Sequence, residues 1–150
     1  GKAGERTRWE FDQSTGTLTI AGTGEMMDFS SDFSPWIRFE NDIKKVVIKD
    51  GVTSIGDYAF NECVFAESVT IPDSVTSIGK YAFAYCGSLK NLIIPNGVTI
   101  IDSSAFYNSG LTAITIPLSV ATIGRYAFSK STLTSSTSTS ETLEADKYLA

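Results

Sequence analysis

The chain has 150 residues, a length that suits one domain with a core of its own. Its 42% hydrophobic and 19% charged residues make a globular composition and exclude a disordered one. A net charge of -5 argues against sequence-independent nucleic-acid binding, which needs clustered Lys and Arg, and no apolar run approaches the roughly 20 residues of a membrane helix.

At the N-terminus, Gly1-Lys2-Ala3-Gly4 lacks the basic and apolar regions of a signal peptide, as expected of a mature or trimmed chain. Trp9-Glu10-Phe11 alternates, Asp12 to Gly16 is rich in turn formers, and Thr17-Leu18-Thr19-Ile20 alternates again. That succession predicts a β-hairpin. Gly22-Thr23-Gly24, Met26, Met27 and Pro35-Trp36 add tight turns and an apolar plug, so residues 1–42 are expected to form one capping module.

From residue 43 to 133 the chain repeats. Ala-Phe recurs at Ala59-Phe60, Ala82-Phe83, Ala105-Phe106 and Ala127-Phe128, at spacings of 23, 23 and 22 residues. Ile48, Ile71, Ile94 and Ile116 keep the same phase, as do Val52, Val75, Val98 and Val120, and Ile55, Ile78, Ile101 and Ile123. Val69-Thr70-Ile71 and its equivalents alternate in, out, in, as a strand with one buried face does. Pro72, Pro95 and Pro117 follow three of these strands and mark where the chain turns. A unit of about 23 residues cannot bury its own apolar face, but units stacked about 4.8 Å apart form continuous internal ladders. The expected fold is a solenoid of four repeats, mainly β, with parallel strands on one face and short turns or helical segments on the other.

Residues 131–140 hold nine Ser or Thr and one Leu. The composition favours a flexible spacer, and the alternative is a polar strand that closes the stack. Residues 134–150 are expected to be a tail or a C-terminal cap, in which Glu141 to Leu149 could form a short helix but one too short to be stable without docking.

The unit from Ile71 to Cys86 reads I-P-x-x-V-x-x-I-x-x-x-A-F-x-x-C and resembles the BspA-like leucine-rich repeat of bacterial and protist surface proteins. The W-x-F-D, T-G-T-L-T-I, G-x-G and P-W succession before it is similar to the cap that precedes such repeats. This chain departs from the pattern at Lys49, which replaces the proline, and at Ser109 and Ser131, which replace the cysteine. The resemblance implies a curved parallel β-solenoid preceded by a β-hairpin cap, exposed outside the cell or secreted, with a role in adhesion or recognition.

Chemistry-bearing groups are sparse. The absence of histidine removes the usual general base and most zinc sites, so no catalytic, metal or cofactor residue is assigned and no cofactor is expected. Cys63 and Cys86 lie one period apart, within disulfide reach, but Ser109 and Ser131 replace cysteine later in the column, which favours stacked free thiols. Asp57, Lys80, Ser103 and Arg125 share a column that suggests exposed ion pairs. Gly51, Gly56, Gly79, Gly97 and Gly124 sit at repeat turns, where positive φ or tight packing would require them. Tyr58, Tyr81 and Tyr126, joined by Tyr85 and Tyr107, form a ladder that suits a ligand or merely covers the coil edges.

The outward strand positions are the candidate binding face: Lys45, Val47 and Lys49, then Ser68 and Thr70, then Asn91 and Ile93, then Ala113 and Thr115. The competing reading is that Val47 and Ile93 only favour β structure. Four strands of about five residues project about 300 Å², against about 800 Å² per side for a standard interface. A non-catalytic module that binds a protein or glycan weakly and multivalently is therefore expected, without nucleic acid and without membrane insertion by this segment. The alternatives are a self-associating surface-layer spacer and, remotely, a carbohydrate-active enzyme.

Overall fold

The computed structural model describes residues 1–133 and 135–138. Strands β1 (Thr7–Asp12) and β2 (Thr17–Gly22) form the expected hairpin, followed by the short β3 (Gly24–Glu25) and a 3-10 turn at Ile37–Phe39. Each repeat then contributes two strands: β4 (Lys45–Ile48) with β5 (Val52–Ile55), β6 (Ser68–Thr70) with β7 (Ser77–Ile78), β8 (Asn91–Ile93) with β9 (Ile100–Ile101), and β10 (Ala113–Ile116) with β11 (Thr122–Ile123). A last strand, β12, spans Ser135–Ser138.

Three walls close each coil. The first carries the sheets β1-β2-β4-β6 and β8-β10-β12, and the second a parallel sheet β3-β5-β7-β9-β11. The corner between them is a tight turn in which the valine N–H bonds back three residues: Val75 to Pro72 O at 3.1 Å, Val98 to Pro95 O at 3.2 Å. Proline suits this position because it presets φ and its missing N–H is not needed. The third wall has no strands. It is a chain of turns whose N–H groups reach the next coil: Tyr58 to Lys80 O, Phe60 to Ala82 O and Glu62 to Ala84 O, at 2.8–2.9 Å. Two residues per coil hold positive φ there, Tyr58 and Glu62 in the first repeat, Tyr81 and Tyr85 in the second.

The repeated columns fill the interior. Phe60, Phe83, Phe106 and Phe128 are fully buried and stack with centroids 5.2–5.5 Å apart. Trp36 heads this column, 5.5 Å from Phe60, and its Nε1–H donates to Ala59 O at 2.8 Å. Trp9 and Phe29 then meet Trp36 edge-on at 6.0 and 5.4 Å and close the apolar end. The cap also continues the walls, because β2 pairs in parallel with β4 (Leu18 opposite Val46, Ile20 opposite Ile48) and β3 pairs with β5.

Glycine serves two purposes. Gly51 has φ of 103° at the first corner, and a Cβ there would run into the Gly22 carbonyl of the coil above. Gly56, Gly79, Gly97 and Gly124 have ordinary φ and are required instead by backbone of the neighbouring coil, which a Cβ would strike.

Two features differ from expectation. Ser135–Ser138 pairs in parallel with β10 (Ile114 opposite Ser136), so the polar-strand alternative holds there and the spacer does not. A ladder uses backbone N–H and C=O groups, so a serine-rich segment can extend it. The possible helix over 141–149 lies outside the described residues. The first wall is also split, since no ladder joins β6 to β8 although β7 still pairs with β9 between the same coils.

Removing one ring of the stack tests its weight: Phe83→Ala should cost about 3–5 kcal/mol in urea unfolding followed by circular dichroism. The cysteine column offers the opposite change. The Ser109 hydroxyl is buried with no hydrogen-bond partner, whereas the Cys86 thiol donates to Phe60 O at 3.2 Å. Ser109→Cys should therefore raise stability by about 1 kcal/mol in the same assay.

Candidate binding face

Side chains on the first wall alternate because a strand has period two, so burying Val46, Ile48, Leu92, Ile114 and Ile116 forces their neighbours outward. Eight of the nine expected positions fall on the strands of this wall, and Lys49 follows β4 at the corner. Lys45, Lys49, Ser68, Thr70, Asn91, Ile93 and Thr115 are exposed, while Val47 and Ala113 are half-buried. Parallel register sets Lys45 beside Ser68, Val47 beside Thr70, Asn91 beside Ala113, and Ile93 beside Thr115. Ile93 is 77% exposed, the most of any large apolar side chain described.

The wall is wider than the repeats alone suggest. Thr17 and Thr19 of β2 continue the Lys45 and Val47 columns, and Asp12 and Glu10 of β1 lie opposite them. Seven strands share the wall, which raises its projected area to about 550 Å² at 4.8 Å per strand. The in–out phase of Thr17-Leu18-Thr19-Ile20 matches that of Lys45 to Ile48, but the 28-residue offset conceals it from a search at the repeat period.

The other candidates resolve differently. Tyr58 and Tyr81 stack face to face, 5.0 Å apart and 6° from parallel. Stacked rings occlude each other's faces, so this pair offers little ring face to a sugar and covers the coil edge. Tyr107 meets Tyr81 and Tyr85 edge-on and lies under the Lys130 ammonium, whose pKa is raised by a hydrogen bond to the Tyr107 hydroxyl.

In the Asp57 column, Asp57 Oδ1 accepts from the backbone N–H of Lys80 at 2.8 Å, and Arg125 lies over the Tyr126 ring. Asp28 Oδ1 likewise accepts the Asp57 N–H at 2.8 Å. These carboxylates fasten one coil to the next. Among the described residues no three His, Cys, Asp or Glu side chains gather as a metal site, and no helix is long and apolar enough to cross a membrane.

Cys63 and Cys86 are buried and unbridged. Burial raises the Cys63 thiol to about 12, with the Glu40 charge adding to it, and burial raises Cys86 well above its ordinary value. Thiols held protonated and out of solvent are inert. Ellman's reagent at pH 8 should detect no thiol in the native protein and two after denaturation.

Coils of this length, stacked in parallel with two strand walls and apolar columns that recur in every repeat, define a leucine-rich-repeat solenoid. The chain belongs to the family described as BspA type Leucine rich repeat region (6 copies), whose model matches residues 38–149. Among solved structures, it is similar to a leucine-rich repeat protein from Eubacterium ventriosum at 30% identity and TM-score 0.72, covering 92% of this chain and 43% of that one. A leucine-rich repeat protein from Bacteroides ovatus matches at 24% identity and TM-score 0.64, covering 89% of this chain and 40% of that one. A leucine rich cell surface protein from Faecalibacterium prausnitzii matches at 23% identity and TM-score 0.58, covering 94% and 55%. The chain thus spans less than half the length of the first two. Among curated proteins, none matches.

Proposed function

We propose that the domain is a non-catalytic recognition module of a secreted or cell-surface protein, and that the outward side chains of the first wall bind a protein partner. The observation that carries this reading is the make-up of the nine repeat positions: two lysines, no carboxylate, and Ile93 at 77% exposure, on a chain of net charge -5 whose carboxylates on this wall, Glu10 and Asp12, stand at its β1 edge. Core packing demands none of these choices, because these side chains point away from the core. A protein partner is favoured over a glycan because Tyr58 and Tyr81 turn their faces against each other and Arg125 covers the Tyr126 ring. Placement outside the cell, and adhesion as the purpose, come from the family resemblance. The limited area suits weak contacts made many times over, where avidity supplies the affinity.

The second reading is a spacer that self-associates through a strand edge. The segment before β1 counts against it at that edge, since the Trp9 N–H bonds to Gly1 O at 2.8 Å along the outer side of β1.

Binding to arrayed matrix proteins and glycans, with the domain displayed multivalently, tests the proposal. The variant carrying Val47→Asp, Thr70→Lys and Ile93→Asp should lose at least tenfold in apparent affinity with its circular dichroism spectrum unchanged. Equal binding by both proteins would remove the site from this wall, and concentration-dependent sedimentation without any captured partner would establish the spacer.

A further inference from the structure

We propose that the split in the first wall, between β6 and β8, is an anchor pocket for one apolar side chain of an extended acidic segment in the protein partner. This deepens the recognition reading above and rests on it.

The split is local. Coils two and three stay joined on the second wall through Ser77 and Ile100, and on the third through Phe83 N–H to Ala105 O and Tyr85 N–H to Tyr107 O, both 2.8 Å. On the first wall alone, two strand edges face each other without a ladder, around an open cleft of about 390 Å³. Ser68, Thr70, Asn91 and Ile93 form its rim, with Val69 and Leu92 beneath. Val69 is half-buried, although its column-mates Leu18, Val46, Leu92 and Ile114 are all buried. A core position is therefore open to solvent through the wall. Water gains nothing from contact with Val69 and Ile93, so an apolar group is the occupant the site favours. The volume is at the lower end of the roughly 300–1,000 Å³ of ligand pockets, which suits one side chain with its backbone.

Charge identifies the rest of the partner. Lys45 and Lys49 stand exposed on β4 and just beyond it, one strand from the cleft, while Glu10 and Asp12 stand on β1 at the far edge of the wall. Lys44 and Glu67 are neighbours in the preceding column, where the Glu67 N–H bonds to Lys44 O at 2.8 Å, and Lys90 donates from Nζ to Gly87 O at 3.1 Å. Neighbouring strands are about 4.8 Å apart and an extended chain advances about 3.3 Å per residue. A carboxylate two or three residues from the anchor therefore reaches the lysines while the anchor occupies the cleft. Unladdered backbone groups of β6 and β8 border the cleft and can meet the polar backbone of such a segment.

The test uses a fluorescein-labelled octapeptide with two aspartates, then phenylalanine two residues on, in a glycine–serine background, displayed four-fold on streptavidin. Saturable binding that weakens with salt is expected. Replacing the peptide's phenylalanine by alanine should weaken it at least tenfold. Val69→Phe, which fills the cleft from below, should do the same, and Lys45→Glu with Lys49→Glu should cost several-fold. The Ser68→Cys/Asn91→Cys variant should lose binding when oxidised across the cleft and recover it on reduction, with Val69→Phe deciding alone if the bridge does not form. Absence of peptide binding at millimolar concentration, or equal binding by Val69→Phe with native circular dichroism, overturns the pocket. The two proposals fail separately. A partner captured from the array by Val69→Phe but not by the Val47→Asp, Thr70→Lys, Ile93→Asp variant would sink the pocket and leave the wall standing.

Discussion

One axial repeat distance governs the molecule, because hydrogen bonds and ring stacking must both accept it. Parallel strands lie about 4.8 Å apart, and aromatic rings stack with centroids about 4.5–7 Å apart when offset. The column Trp36, Phe60, Phe83, Phe106, Phe128 meets both conditions with centroid spacings of 5.2–5.5 Å. A large aromatic can therefore stand in every coil without interrupting a ladder. The other columns follow from the same distance. Branched aliphatics at the valine and isoleucine positions fill one coil's thickness, and Gly56, Gly79 and Gly124 stand where two backbones approach too closely for any Cβ.

This constraint explains what the sequence reveals. Every inward position answers to its equivalents one coil away, so the requirement is printed once per repeat and the columns can be read by eye. The cap obeys the same geometry but with different offsets: Trp36 precedes Phe60 by 24 residues and Ile20 precedes Ile48 by 28. Hairpin and loop lengths there shift the phase, so the hairpin was legible while its continuation of the wall was not. Ser135–Ser138 was obscured for another reason, since its pairing is carried by backbone that composition does not report.

The split in the first wall left almost no trace. Val69-Thr70-Ile71 keeps the alternation of an intact strand. The one deviation nearby is Ala66, fully buried where Ile43, Leu89 and Leu111 hold larger side chains in the same column. A volume deficit beneath β6 coincides with a missing ladder beside it, and in a close-packed interior such deficits are felt by neighbouring elements. Periodicity shows which residues are equivalent, but a local break arises from how their volumes sum, which no single column displays.

The binding face is weakly encoded for the complementary reason. Outward residues do not answer to the coil above or below, so Lys45, Ser68, Asn91 and Ala113 differ at one structural position without disturbing the ladders. That freedom lets a solenoid change partners while keeping its fold, and it makes the face legible only through geometry. Geometry also sets the scale of recognition. Each coil adds about 80 Å² of wall at 4.8 Å by about five residues. The present wall of about 550 Å² would need about three further coils to match the roughly 800 Å² per side of a standard interface. In a repeat protein affinity can therefore grow by adding coils, as well as by improving any one of them, and a cleft that grips a single side chain concentrates recognition where area is scarce.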